Sequence, residues 1–148
     1  MYRIFGLLLV VFLMVSCVGK EVEVVKEKFD DGKPRLVGTF YVKGSDSTLM
    51  KEVAYYQTGQ KYLEGSYQNE KRHGLWTAWF DNGEIWSKGS YHEGIEHGHK
   101  VLYHPSGARF YEGDYDMGKQ VGMWRFFDKE DSLIKEIDYD QNPPKVIK

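Results

Sequence analysis

Four histidines lie close together in the second half of the chain, at His92, His97, His99 and His104. A His-x-His pair on a strand directs both imidazoles to one face, an arrangement that can hold a zinc ion. However, His97 follows His73 at the same interval that separates Gly98 from Gly74, and no cysteine or regular set of carboxylates accompanies them. Because zinc sites need several ligands at suitable spacing, we predict no metal site and no cofactor.

A second candidate chemistry is acid–base catalysis by carboxylates. Glu64, Glu112 and Glu136 fall on one constant step along the chain, and Lys88 occupies the missing position. General acid–base catalysis could use such groups, but a catalytic pair does not copy itself along a chain. The regular step favours cross-strand pairing with lysines instead. No combined set of nucleophile, base and orienting group is visible, so we predict that the protein is not an enzyme.

Aromatic side chains are the third chemically active group. The stretch YLEGSYQNEKRHGLWTAWFDNG, residues 62–83, contains five of them between glycines. Such rings could stack on sugars or on bases. Lys and Arg number 20 against 22 Asp and Glu, so the chain lacks the basic surface that nucleic acid requires. A glycan or lipid-headgroup site remains open, and nucleic acid is not expected as a partner.

These residues belong to a repeat of about 24 residues, a length that is typical of stacked supersecondary units. The repeat step relates three sets of glycines, which we interpret as structural: Gly59, Gly83 and Gly107; Gly65, Gly89 and Gly113; Gly74, Gly98 and Gly122. It also relates several sets of rings: Tyr67, Tyr91 and Tyr115; Trp76 and Trp124, with Lys100 between them; Trp79, Tyr103 and Phe127; Tyr62, Trp86 and Phe110, with Ile134 following. A degenerate copy precedes the three clear ones, and a half-copy follows them.

Each copy is predicted to be two strands. In one copy they run over about 74–81 and 84–91, joined by the turn sequence FDNG. The link to the preceding strand, QNEKRHG at 68–74, is predicted to be a longer polar loop. No apolar period of 3.6 residues follows the N-terminus. We therefore predict an all-β fold, an elongated, twisted, antiparallel single sheet of stacked hairpins, ended by the prolines at 143–144.

Glycine inside a strand normally weakens it, so Gly65, Gly89 and Gly113 need a structural reason. We expect a ring from an adjacent strand to lie across each of them. Alternation along the strand predicts that Trp76 and Trp79 point to opposite faces, so that both faces carry rings. These rings could form exposed binding patches or be covered by long charged side chains.

The N-terminus carries a targeting pattern. Arg3 precedes a short apolar run, too short to cross a bilayer as a helix, and the run ends in MVSC at 14–17. This ending resembles a bacterial lipobox, which implies a signal helix at 1–16 and lipid attachment to Cys17. We interpret 17–28 as a charged tether, 29–139 as the repeat array and 140–148 as a tail. Among such lipoproteins, the Val18 that follows the cysteine implies the outer membrane of the cell envelope.

The repeat itself resembles the MORN repeat variant of bacterial proteins, through the skeleton of glycines, tyrosines and tryptophans in residues 62–83 and its copies. The resemblance implies stacked β-hairpins in one sheet. Some members are described as antitoxin partners of a toxin, which implies a neutralising role as one alternative.

The sequence thus predicts a lipid-anchored envelope protein that presents a repeat sheet to an unknown protein partner. Glycan or lipid-headgroup binding and the antitoxin-like role are the alternatives. The predicted contact residues are the rings of the repeat: Trp76, Trp79, Trp86, Tyr103, Trp124 and Phe127.

Overall fold

A computed structural model describes residues 18–148 as eleven β-strands in one open antiparallel sheet. The strands are β1 (Lys20–Lys28), β2 (Pro34–Lys43), β3 (Asp46–Tyr55), β4 (Lys61–Gln68), β5 (Lys71–Trp79), β6 (Ile85–His92), β7 (Ile95–Tyr103), β8 (Arg109–Asp116), β9 (Lys119–Phe127), β10 (Leu133–Asp138) and β11 (Lys145–Val146). Each strand pairs with the next one in sequence. The predicted all-β sheet of hairpins is confirmed, whereas the predicted signal helix and Cys17 lie outside the described residues.

The turns at one end of the sheet follow the FDNG pattern. In the turn at 80–84 the amide of Phe80 donates to the carbonyl of Glu84, and the amide of Gly83 donates back to the carbonyl of Phe80. Gly83 has a φ of +88°, a backbone conformation that residues with a Cβ atom disfavour. The same pair of hydrogen bonds recurs at 29–33, 56–60 and 104–108, and its last copy at 128–132 has Asp131 in the glycine's place.

The turns at the other end are shorter than the sequence predicts. The expected loop at 68–74 is only a two-residue turn, in which Asn69 and Glu70 have φ of +51° and +63°. β5 begins directly after it, at Lys71. The remaining residues of the expected loop join the sheet. A bulge leaves Gly74 and Leu75 without partners in β4, since Ser66 pairs with His73 but Gly65 pairs with Trp76. Gly74 lies in this bulge with a φ of +70°.

A cross-strand row alternates glycine with a long side chain. Gly65 pairs with Trp76, Trp76 with Gly89, Gly89 with Lys100 and Lys100 with Gly113. The row also contains Glu52, which pairs with Gly65 and lies one repeat step before Trp76. The expected ring lies over Gly65 and Gly113, but at Gly89 the expectation is wrong. There the nearest neighbour is the aliphatic stem of Lys100, which would lie 3.5 Å from a Cβ added to the glycine.

Rings occupy both faces of the sheet, as predicted. Trp76 and Trp124 are buried on one face, which we call the tryptophan face, and Phe127 is buried on the opposite face. Charged side chains cover part of both: Arg72 stacks 4.1 Å from the ring centroid of Trp76, and Arg109 stacks 3.9 Å from that of Phe127.

The described residues contain no helix that could cross a membrane.

The ends of the sheet differ from the sequence interpretation. Residues 20–28, interpreted as part of a tether, form β1 and pair with β2 along their whole length. Six of the nine residues of β1 are Lys or Glu, which favours a tether in the sequence, although charge is common on strands at a sheet edge. At the other end, the tail at 140–148 returns to pair Lys145 and Val146 with β10.

Candidate interaction surface

The six predicted contact residues fall into two groups. The exposed fractions of Trp76, Trp124 and Phe127 are only 4%, 2% and 5%, so these three rings hold the sheet together and offer little area to a partner. Trp79 and Tyr103 are half-buried, and Trp86 is 38% exposed. A contact role for these last three residues stays a prediction.

Trp86 belongs to an exposed set that recurs in four successive repeats, which we call the apolar column. It consists of Tyr62 on β4, Trp86 on β6, Phe110 on β8 and Ile134 on β10, with exposed fractions of 39%, 38%, 44% and 56%. Each member follows the previous one by exactly one repeat step. The sequence shows this step, but it does not show that all four side chains are open to solvent.

A β-bulge explains the exposure of the apolar column. In the pairing of β5 with β6, Ala78 faces Ser87 and Trp79 faces Ile85, so Trp86 is the extra residue without a partner. The pairing of β3 with β4 skips Tyr62 in the same way, and the two later pairings skip Phe110 and Ile134. A bulge interrupts the alternation of side chains and can redirect one of them. The fold therefore presents one apolar side chain per repeat at equivalent sites.

Ring contacts locate the apolar column on the tryptophan face, beside the FDNG-type turns. The ring of Phe110 lies 5.6 Å from that of Tyr111, which lies 5.5 Å from Trp124. Turn residues support the column from the side: Tyr56 contacts Tyr62 at 5.2 Å, and His104 contacts Phe110 at 5.1 Å. The column is thus a supported aromatic strip.

The turns beside the apolar column carry an excess of negative charge. The four turns that precede its members contain the carboxylates Asp81, Glu84, Asp128, Glu130 and Asp131, all in the turns at 80–84 and 128–132, and only Lys129 as a cationic side chain. Asp131 is bound by Arg109 at 2.9 Å, and this hydrogen bond lowers the pKa of its carboxyl group. Within residues 18–148, no ion pair involves Asp81, Glu84 or Glu130. We call this border the acidic edge.

The repeated glutamates lie on the opposite face and make ion pairs there. Glu64 is held between Lys51 and Lys61, and the hydrogen bonds from both lysines outweigh burial and lower its pKa. Glu136 accepts a hydrogen bond from Arg125 at 3.0 Å. Glu112 also meets arginines, so the predicted cross-strand pairing is confirmed, with arginine in place of lysine at two positions.

The histidines do not assemble into a metal centre. His92 stacks between His73 and His97, with ring centroids 5.3 and 5.9 Å apart. His99 lies 3.2 Å from a carboxylate oxygen of Asp114. Across the part of the chain that the structure describes, no group of three metal-binding side chains has suitable geometry. These imidazoles form a polar cluster on the face opposite Trp76.

Comparison with known proteins finds one hairpin that is similar to a family of repeats. No curated protein matches the chain. A family model does match residues 72–93, which cover nearly all of β5, the FDNG turn and β6. The matched segment contains Trp76, Gly83 and Gly89, the positions that recur through the sheet. The matching family is the MORN repeat variant, so residues 72–93 are similar to a unit of that repeat.

Proposed function

We propose that this chain is a non-enzymatic lipoprotein of the bacterial envelope that presents its repeat sheet to another protein. Cys17 carries the lipid, and the outer membrane is the membrane to which it binds. The MORN-type unit at 72–93 supports an interaction role, because such repeats generally contact proteins or membranes. The lipobox-like MVSC sequence supports the anchor.

The observation that carries the interaction role is the exposure of the apolar column. Its least exposed member, Trp86, still has 38% of its surface open to solvent, although Trp124 shows that this sheet can bury an indole almost completely. Contiguous apolar side chains that stay in water often mark a binding surface. Trp and Tyr also dominate the energetics of protein interfaces.

The short stretch of chain between Cys17 and β1 gives the proposed anchor a geometry. β1 begins at Lys20, three residues after Cys17, and three residues span at most about 10 Å. Gly19 is packed against Tyr41, since a Cβ on the glycine would lie 2.4 Å from the ring carbon Cζ. A lipid on Cys17 would therefore hold the sheet by its β1 edge, with Tyr62 nearer the membrane than Ile134.

Site-specific crosslinking in intact cells tests this proposal. A photoreactive amino acid is placed at Trp86 or at Phe110 in the full chain, and at Leu75 as a control. Leu75 is 56% exposed, and it pairs with Ser90 directly beside the Trp76–Gly89 pair in the regular register with β6, so its side chain points to the opposite face. We expect one defined adduct from positions 86 and 110 and none from 75. Equal labelling from all three positions, or no adduct from any, would contradict the interaction role.

The anchor is tested separately. Cys17→Ser should move the protein from the outer-membrane fraction of a density gradient to the soluble fraction. If the variant stays in the membrane fraction like the wild type, Cys17 is not the attachment site. This outcome does not depend on whether a partner binds.

A further inference from the structure

The spacing of the apolar column restricts what can bind along it. Its four members lie on β4, β6, β8 and β10, so two strand spacings separate each from the next. Neighbouring strands lie about 4.8 Å apart, and the column therefore repeats at roughly 9.6 Å. Three such steps give a strip of roughly 29 Å from Tyr62 to Ile134.

Among regular backbone conformations, polyproline II has the matching period. It rises about 3.1 Å per residue with three residues per turn, so residues on one ridge repeat every turn at about 9.3 Å. Same-side residues of a β-strand repeat at roughly 6.7 Å. Residues on the same side of an α-helix recur about every seven residues, which span about 10.5 Å. Over the three steps of the apolar column, the difference from the column's own period accumulates to roughly 3 Å for the helix, against about 1 Å for polyproline II.

The chemistry of the apolar column also suits this conformation. Proline-rich segments dock in grooves lined by aromatic side chains, and three of the four members are aromatic. Tyr62 and Trp86 carry polar groups that can donate to the solvated carbonyls of such a segment. Neither the hydroxyl of Tyr62 nor the indole N–H of Trp86 makes a hydrogen bond within residues 18–148.

The acidic edge adds a preference for charge. Asp81 and Glu84 lie in the turn directly before Trp86, and Asp128 and Glu130 lie in the turn before Ile134. A ligand seated on the apolar column would have one side next to these carboxylates. Basic side chains on that side would meet opposite charge, which favours association.

We propose that the apolar column binds a proline-rich, basic segment of a partner protein in the polyproline II conformation. Two ridges of the ligand carry apolar residues against the column, and the third carries Lys or Arg toward the acidic edge. This inference rests on the proposed interaction role and names the class of partner for it.

Synthetic peptides test the partner class. The full-length protein, purified from membranes in detergent, is titrated with (Pro-Pro-Arg)5, and the fluorescence of its tryptophans reports binding. The matched control (Gly-Gly-Arg)5 has the same charge without the polyproline II preference, and (Pro-Pro-Glu)5 has the conformation with the opposite charge. We expect (Pro-Pro-Arg)5 to bind at least tenfold more tightly than either control. Equal affinity for the glycine peptide, or no binding of the arginine–proline peptide, overturns the proposal.

Protein variants locate the site, with calorimetry as the readout. Trp86→Ala and Phe110→Ala should each weaken binding of (Pro-Pro-Arg)5 about tenfold, whereas Leu75→Ala should leave it unchanged. Should alanine disturb folding, Phe110→Leu keeps the bulk and is expected to lose affinity less. Equal losses at 75 and 86 overturn the assignment. If the peptide fails while crosslinks from 86 and 110 persist in cells, the partner class is wrong and the interaction role stands.

Discussion

Trp76 lies over Gly65 of the neighbouring strand, so closely that a Cβ atom on the glycine would come within 2.1 Å of the indole carbon Cδ2. Trp124 has the same relationship with Gly113, at 2.4 Å. Each indole N–H donates to a backbone carbonyl, that of Ser66 at 3.1 Å or that of Asp114 at 3.2 Å. A missing side chain thus makes room for a buried ring, and this packing joins successive hairpins.

Tyrosines complete each tryptophan site across three strands. The ring of Trp76 meets Tyr67 at 5.4 Å on one side and Tyr91 at 6.1 Å on the other. Trp124 meets Tyr115 at 5.1 Å, and Tyr139 extends the contact to the end of β10 at 5.8 Å. Since these edge contacts link one repeat with the next, no hairpin buries its own rings alone.

Replacing Lys100 by Trp should stabilise the sheet. Position 100 lies between Gly89 and Gly113 in the register, where an indole could lie over glycine as it does in the neighbouring repeats. The gain in buried apolar area should exceed the loss of the ion pair with Glu96, by about 1 kcal/mol. The check is the melting temperature followed by circular dichroism.

The matched variant for this prediction is Lys100→Trp combined with Glu96→Gln. It leaves no unpaired carboxylate beside the new ring, so it should melt at least as high as Lys100→Trp alone. If both variants melt below the wild type, position 100 does not offer the environment of Trp76.

Stability should fall with acid partly through Glu52. Burial raises the pKa of this carboxyl group, but hydrogen bonds from Lys26 and Tyr67 outweigh it, and the net pKa is below the ordinary value of 4.5. A carboxyl whose pKa is lower in the folded state stabilises the fold above pH 4.5, and this contribution is lost as pH falls through the folded pKa. Glu52→Gln should therefore flatten the decrease of the melting temperature between about pH 5 and pH 3.

Gln at position 52 can still accept the hydrogen bond from Tyr67, which in the wild type has an oxygen–oxygen distance of 2.7 Å. The substitution thus removes charge with little change in shape. An acid profile identical to that of the wild type would show that Glu52 is not among the groups whose protonation destabilises the sheet.

Gly83 should resist substitution for a backbone reason alone. Its φ of +88° costs a side-chain-bearing residue roughly 1–2 kcal/mol, and the nearest atom to an added Cβ is 3.7 Å away. We expect Gly83→Ala to lower the melting temperature by several degrees and Gly83→Asn to lower it less, because Asn tolerates left-handed conformations better. Equal effects of the two substitutions would point to a lost contact instead.

The repeat explains why much of the fold follows from sequence. The recurring pairs of glycine and ring identify cross-strand neighbours, and the FDNG pattern identifies a hairpin turn. The two-residue turn at 69–70 escapes prediction because Glu70 adopts a left-handed conformation that glutamate rarely takes. β1 escapes it because six of its nine residues are charged and its short alternation of Glu and Val at 21–24 is too brief to stand out from a charged tether.

The exposure of the apolar column is harder to predict from the sequence, because bulges change which way its side chains point. Alternation separates the two faces correctly for Trp76 and Trp79, but it fails at a bulge. The extra residue at Trp86 follows from strand register, which no single repeat displays. Choosing contact residues by the size of their rings selects Trp124, although it is the most deeply buried large side chain of the described residues and offers little area to a partner. Exposure, rather than residue type, distinguishes the apolar column.

The most direct test of the packing that holds the repeats together compares Gly65→Ala with Gly89→Ala by thermal unfolding. A Cβ at position 65 would overlap the buried indole of Trp76, whereas at position 89 it would make ordinary contact with the flexible stem of Lys100. We expect Gly65→Ala to lose about 2 kcal/mol or more of stability and Gly89→Ala to change it by no more than about 0.5 kcal/mol. Equal melting temperatures for the two variants would contradict it.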